Sequence, residues 1–256
     1  MNKDTIRQWT NLISLIAAFV VNTITNIKPI DGISIKQIAD SYDENVLVIP
    51  ANYAFAIWGL IYLGLLGLGI YQALPANKNE PRCRQLGYLL TISSLAQIAW
   101  VILFQYRLFF LSLIAMFSIL IPLIILYIRL DIYLKPISRV QKWLINFPIS
   151  IYLAWISVAT ILNVAIALAS IQWNAWNISI TTWTILMLIV TTVIGILAIT
   201  KRRDIAFAGV LVWAFVAIAF RHLDVLVLAG TAVGLALLLV IFAFKQKSRI
   251  KNHFAV

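Results

Sequence analysis

Charge is scarce in this sequence, and that scarcity excludes more than any motif does. Only 11% of the 256 residues are Asp, Glu, Lys or Arg, against about 25% in a soluble domain. Long stretches carry no ionised group at all, a pattern for which a water-soluble globule has no use. A single cysteine, Cys83, excludes an internal disulfide and leaves no Cys pair for zinc or haem attachment. The two histidines, His222 and His253, stand in a tight turn and in the C-terminal tail, so no metal site and no resident cofactor is expected. Beside Arg221 and Asp224, His222 reads as a hydrogen-bonded turn residue and not as a haem ligand. No acid–base or nucleophile constellation is present, and no catalytic residue is assigned. Gly59, Gly64, Gly67 and Gly69 follow no strand, so they form no nucleotide loop and suit close helix packing instead.

What fills the sequence is apolar residues, 62% of the total. Runs of 18 or more such residues mark membrane helices, because about 20 residues cross the hydrocarbon at ~1.5 Å each. Eight runs are legible, at residues 9–27, 50–73, 85–106, 108–128, 143–169, 179–200, 205–221 and 224–244. Only Arg221, His222, Leu223 and Asp224 separate the last two. The expected fold class is all-α, a polytopic bundle of eight transmembrane helices. The first run is not flanked by a small-residue cleavage site and reads as a retained helix.

The net charge of +11 invites a nucleic-acid reading, but its placement points elsewhere. With alternating spans, sixteen of the twenty Lys and Arg fall on the side of the N-terminus. Only Lys28, Lys36, Arg107 and Arg221 fall on the other. Loops that retain Lys and Arg are cytoplasmic, so both termini are expected there. Membrane lipids with anionic head groups are the natural partner of this surplus, and nucleic acid is not.

The loop from Lys28 to Ile49 is unlike the others, holding four of the nine acids: Asp31, Asp40, Asp43 and Glu44. Ser34 and Gln37 have capping-box spacing, and Ile35, Ile38 and Tyr42 then share a helical face. A short amphipathic helix over the bundle and a solvated linker both remain open. Pro50 and Pro148 stand at helix starts, where a missing N–H is tolerated, and Pro122 lies inside the fourth run. Gly230 and Gly234 form a small-xxx-small pair suited to packing within the bundle, more than to a dimer seam. Lys201-Arg202-Arg203 reads as an anchor for the sixth helix. Of nine tryptophans, Trp9, Trp143, Trp173, Trp176 and Trp183 lie near span ends, where indoles belong to the interfacial belt. Trp58, Trp100, Trp155 and Trp213 lie within spans, where each N–H needs a partner or a cavity to line.

Three of these helices place aromatic and amide groups at comparable depth. Trp58 and Tyr62 share a face of the second span. Gln97 and Trp100 lie one turn apart in the third, and Trp155, Ala159 and Asn163 form a stripe along the fifth. An amide in lipid is costly without a partner, so Gln97 and Asn163 are expected to face inward. The combination suggests an aromatic-walled, amide-edged pocket beneath the Lys28–Ile49 loop.

The segment Pro50-Ala51-Asn52-Tyr53-Ala54-Phe55-Ala56-Ile57-Trp58-Gly59-Leu60-Ile61-Tyr62 resembles the second-helix start of TspO/MBR proteins. These are the tryptophan-rich sensory proteins and the mitochondrial translocator, or peripheral benzodiazepine receptor. Gln97-Ile98-Ala99-Trp100-Val101-Ile102-Leu103-Phe104 is similar to the third-helix motif. Tyr152-Leu153-Ala154-Trp155, followed by Ala159, Leu162 and Asn163, is similar to the fifth-helix signature. The resemblance covers residues 1–170 and implies a five-helix ligand-binding domain, often dimeric, that takes porphyrins, and sterols in mitochondrial members. Some bacterial relatives are reported to promote light-dependent breakdown of protoporphyrin IX. By that resemblance Trp58 and Trp155 face a tetrapyrrole, with Tyr62, Gln97, Trp100 and Asn163 around it, in a multi-pass protein of a bacterial plasma membrane. The chain departs from the family at Ala51, Gln97 and Val101, where a proline, an asparagine and a proline are usual. It also adds three helices over residues 171–256.

A membrane receptor, sensor or carrier for a tetrapyrrole-like ligand is therefore the leading expectation. A transporter of a neutral or amphipathic molecule is the alternative, since the middle of the five central spans lacks the buried charge that ion coupling needs. A scaffold that binds another membrane protein through the added helices is the third.

Overall fold

Inside a bilayer a backbone N–H or C=O has no water to bond, so each apolar run closes its hydrogen bonds internally as a helix. The structure, a computed structural model, describes residues 2–253, with side chains through residue 246. Lys247, Arg249, Lys251 and His253 lie outside the described side chains. Helix α1 (Lys3–Ile27) starts at Asn2, whose side chain accepts from the Asp4 N–H. It begins six residues before the apolar run does, which folds Arg7 and Gln8 into the bundle. The Arg7 guanidinium donates to the Cys83 carbonyl at 2.6 Å.

The loop after α1 contains a short helix α2 (Ile35–Asp40), closed by a reciprocal capping box between Ser34 and Gln37. Of the two readings open for this loop, the helix is the one observed. A 3₁₀ turn at Asn52–Ala56 leads into α3 (Ile57–Ala73). Then come α4 (Pro81–Gln85), α5 (Leu89–Gln105) and α6 (Phe109–Arg129). One turn of helix, α7 (Arg139–Gln141), widens into a π turn at Lys142–Asn146 and continues as α8 (Phe147–Ser170). The chain ends with α9 (Ile180–Arg202), α10 (Ile205–Arg221) and α11 (Leu226–His253).

Among the described residues, six helical segments are long and apolar enough to cross a membrane. They are Lys3–Ile27, Asn52–Ala73, Phe109–Arg129, Arg139–Ser170, Ile180–Arg202 and Leu226–Gln246. Two shorter apolar helices, α5 and α10, accompany them. The chain is an all-α, multi-pass integral membrane protein.

Neighbour relations put α1, α3, α8, α6 and α5 in a ring, each packed on the next and α5 closing back on α1. Behind the ring, α10 lies on the outer side of α8, and α9 and α11 pack on α10 and on each other. Helix α8 belongs to both groups and is buried almost along its length. Close approach inside the ring relies on small residues, as expected: a Cβ at Gly64 would stand 3.2 Å from Pro148, and one at Gly69 3.1 Å from Leu12 and Leu15. Gly59 faces open space instead. Polar groups between α1 and α3 satisfy each other. The Gln72 amide donates to the Gln8 carbonyl at 2.7 Å, and the Gln8 amide returns a bond to the Gln72 carbonyl.

The expectation that Gly230 and Gly234 pack within the bundle is corrected. Both are exposed, and a Cβ on either meets nothing within 4 Å. Ala229, Ala232 and Ala236, on the opposite face of α11, are the buried small residues. A spacing motif states that two residues share a face; it does not state which way the face points.

A buried acid sits where the ring meets the three helices behind it. Asp204 caps α10 by accepting from the Phe207 N–H at 3.0 Å. Its other oxygen accepts from the Tyr127 hydroxyl of α6 at 2.8 Å and from the Ser150 hydroxyl of α8. Burial pushes the Asp204 carboxyl above its ordinary value, and these donors partly oppose that shift.

Candidate ligand-binding site

Three indoles from three helices of the ring meet at one enclosed cavity. Trp58 comes from α3, Trp100 from α5 and Trp155 from α8, and Asn163 closes one side. Ile35 and Ala39 of α2 form its roof, with Pro50, Phe55 and Phe104 completing the upper wall. The short amphipathic helix is thus a lid whose apolar side faces the cavity. The enclosed volume is about 40 Å³, room for about one water. Pockets that hold a drug-sized molecule run to about 300–1,000 Å³. Anything larger than a few atoms enters only if the lid or the aromatic wall moves.

The polar residues form two layers. In the upper one, the Trp100 indole donates to Asn163 Oδ1 at 2.7 Å, and Asn163 Nδ2 donates to the Ser112 hydroxyl of α6 at 3.0 Å. Asn163 and Gln97 are both 1% exposed, and both face inward as expected. The lower layer holds Tyr62 and Gln97, which do not reach the cavity wall. The Tyr62 ring stacks on Trp58 with centroids 5.4 Å apart and meets Phe19 at 5.1 Å on another side. The Tyr152 hydroxyl donates to Gln97 Oε1 at 3.2 Å. Three buried groups here, Tyr62 Oη, Gln97 Nε2 and Trp155 Nε1, find no hydrogen-bond partner among the described residues. Buried atoms of Arg7, Asp40, Gln72 and Arg82 also lack a hydrogen-bond partner among those residues, but these three belong to neighbouring aromatic and amide side chains at and beneath the cavity, where a polar atom can be received.

Four of the six residues singled out in the sequence therefore line the cavity, and two underlie it. Sequence reasoning missed Ser112, one of two serines in the apolar run of α6 and the buried one, for which the cost of an unpaired hydroxyl in lipid was the available signal. It missed Phe55 as well, three residues before Trp58, whose ring meets Trp155 edge-on at 6.0 Å.

Helix α10 holds the rim of this site. Arg221 reaches the lid, with Nη1 2.9 Å from Asp40 and Nε donating to Asp43 at 2.8 Å. His222 is hydrogen-bonded as expected, but its partner lies outside its own turn: Nε2 stands 3.2 Å from the Ile49 carbonyl. Burial holds the His222 imidazole below its ordinary value, opposed by nearby Asp43. The Ala51 N–H donates to the Ala217 carbonyl at 3.0 Å, and the Trp213 indole donates to the Ala54 carbonyl at 3.0 Å. The bonds of His222, Ala217 and Trp213 tie the threshold of α3 to α10 and the turn that follows it.

Helices that cross a membrane, an aromatic cavity between them and a short helix over it define a class: multi-pass membrane proteins with an aromatic-lined internal cavity. Within it the chain belongs to the TSPO-like protein family, whose model matches residues 8–245. That stretch takes in both the ring and the helices packed behind it. No curated protein and no solved structure matches the chain.

Proposed function

We propose that the protein is a membrane receptor or carrier that takes a flat, hydrophobic, tetrapyrrole-like molecule into the cavity beneath α2. The observation that carries this reading is the meeting of Trp58, Trp100 and Trp155 from three helices under one lid. A planar macrocycle gains most from aromatic faces, with a few fixed polar groups to orient it. Asn163 and the unpartnered Trp155 N–H supply those at the cavity wall, with the unpartnered Gln97 amide beneath it. On this reading α1, α3, α5, α6 and α8 are the TspO-like core, and α9–α11 an addition that backs it. Helices α5 and α10, at 17 residues and ~1.5 Å each, complete eight spans. The sixteen-to-four distribution of Lys and Arg then puts both termini in the cytoplasm of a bacterial cell.

The test is a titration of the detergent-purified protein with protoporphyrin IX, followed by tryptophan quenching. Trp58→Phe and Trp155→Phe are each expected to weaken binding about two- to tenfold, the worth of one aromatic contact. A titration unchanged in both variants removes the site. Flux of the bound molecule across liposomes, measured alongside, separates carrier from receptor.

A further inference from the structure

We propose that Arg221 is the latch of the lid: a positioning residue on α10 that holds α2 over the cavity and sets how fast a ligand enters and leaves. The effect on exchange rests on the cavity being the ligand site; the effect on the lid does not.

The cavity is too small for a sizeable guest unless its roof lifts, and the roof is α2, through Ile35 and Ala39. Asp40 is the last residue of that helix, and Asp43 follows within a turn. One guanidinium serves both carboxylates: its Nε donates to Asp43 at 2.8 Å, and its Nη1 stands 2.9 Å from Asp40 as an ion pair without hydrogen-bond geometry. The planar guanidinium presents one nitrogen to each carboxylate and directs its bond to Asp43, a geometry that a lysine ammonium reproduces less well. Arg221 is 14% exposed, whereas Asp40 and Asp43 are 31% and 43% exposed. The cation is thus set into the body of the protein and the anions ride on the moving part. The other ties from α10 go to Ile49, Ala51 and Ala54, beyond the lid. They anchor its far hinge and leave the lid helix free to swing about it. Apart from Arg221, α2 and the residues just after it are held by apolar contacts, such as Tyr42 edge-on to Phe109 at 5.5 Å. Releasing Arg221 therefore removes the charged restraint and leaves the hinge in place.

Removing a latch that is engaged with and without ligand speeds both directions of exchange. It leaves the equilibrium nearly where it was. In a Cys83→Ala background, Ala39→Cys places a thiol on the cavity side of the lid, and its reaction with a maleimide reports opening without any ligand. Arg221→Gln is expected to raise that labelling rate about tenfold, as is Asp40→Asn combined with Asp43→Asn, with no further gain when all three are joined. Arg221→Lys is expected to fall between. Association and dissociation of protoporphyrin IX should both quicken about tenfold in the same variants, with Kd moving less than about threefold. Asp43→Asn alone, at the most exposed of the three positions, keeps the test open should Arg221→Gln fail to fold.

Labelling unchanged in the folded variants overturns the latch. Labelling that rises while porphyrin exchange stays constant overturns the role of Arg221 in ligand entry. Labelling that rises while protoporphyrin does not bind at all upholds the latch and overturns the tetrapyrrole reading, so the two failures are distinct.

Discussion

At the scale of single residues, Asp204 shows how a buried carboxylate is made tolerable. It accepts from a backbone N–H and two hydroxyls, and those donors offset much of its desolvation. Its folded-state value is raised, so its stabilising contribution is complete below the unfolded value of about 3.9 and is lost as pH rises through the folded one. At neutral pH the charge is a cost. Asp204→Asn removes that charge and keeps the cap oxygen, so unfolding stability in detergent should stay within ~1 kcal/mol. Asp204→Ala strands Tyr127, Ser150 and the Phe207 N–H, and should cost ~2–4 kcal/mol by the same measurement. Equal losses in both would show that the bonding described for Asp204 does not decide its effect. The residue was illegible in the sequence, where it reads only as the acid after a basic anchor. Its partners lie 54 and 77 positions away. Ser34 and Gln37 were legible because the chemistry that pairs them spans three residues and needs nothing from the rest of the chain.

At the scale of elements, the three helices behind the ring pack around one glycine. A Cβ on Gly195 of α9 would stand 2.8 Å from Leu211 of α10 and from Leu239 of α11. Gly195→Val overfills that junction and is expected to cost ~1–3 kcal/mol. Gly230→Ala meets open space and should stabilise by up to ~1 kcal/mol, because alanine is the better helix former. Thermal unfolding of the two variants checks the pair, and a reversal of order would overturn the packing described. The long apolar helices were legible, since apolar length alone demands them, whereas the short α4 and the facing of the long helices were not. Gly230 and Gly234 have the spacing of a packing motif yet lie on an exposed face, and Gly195 has no motif yet fills the tightest place. Only the positions of the neighbouring helices separate the two cases. The aromatic stripe on α8 fared better, because Trp155 and Asn163 are polar enough in part that their inward direction follows from the cost of exposing them to lipid.

At the scale of the whole molecule, the ring and the helices behind it are joined at both ends of α10. Asp204 makes the junction near the basic loops, and Arg221 with His222 makes it at the lid. The orientation proposed for this assembly has a direct check in right-side-out vesicles. With Cys83 replaced by Ala, Asn174→Cys should react with a membrane-impermeant maleimide added outside. Asn79→Cys should react only after the membrane is opened. The reverse pattern would turn the molecule over and put the lid in the cytoplasm.

The bond from the Ala51 N–H to the Ala217 carbonyl also has a temporal meaning. A nascent chain delivered by the ribosome only through α9 owns every indole of the chamber, but neither the guanidinium that holds its cover nor the carbonyl that steadies its doorstep. The chamber is therefore finished late in synthesis, by a helix that contributes no wall to it.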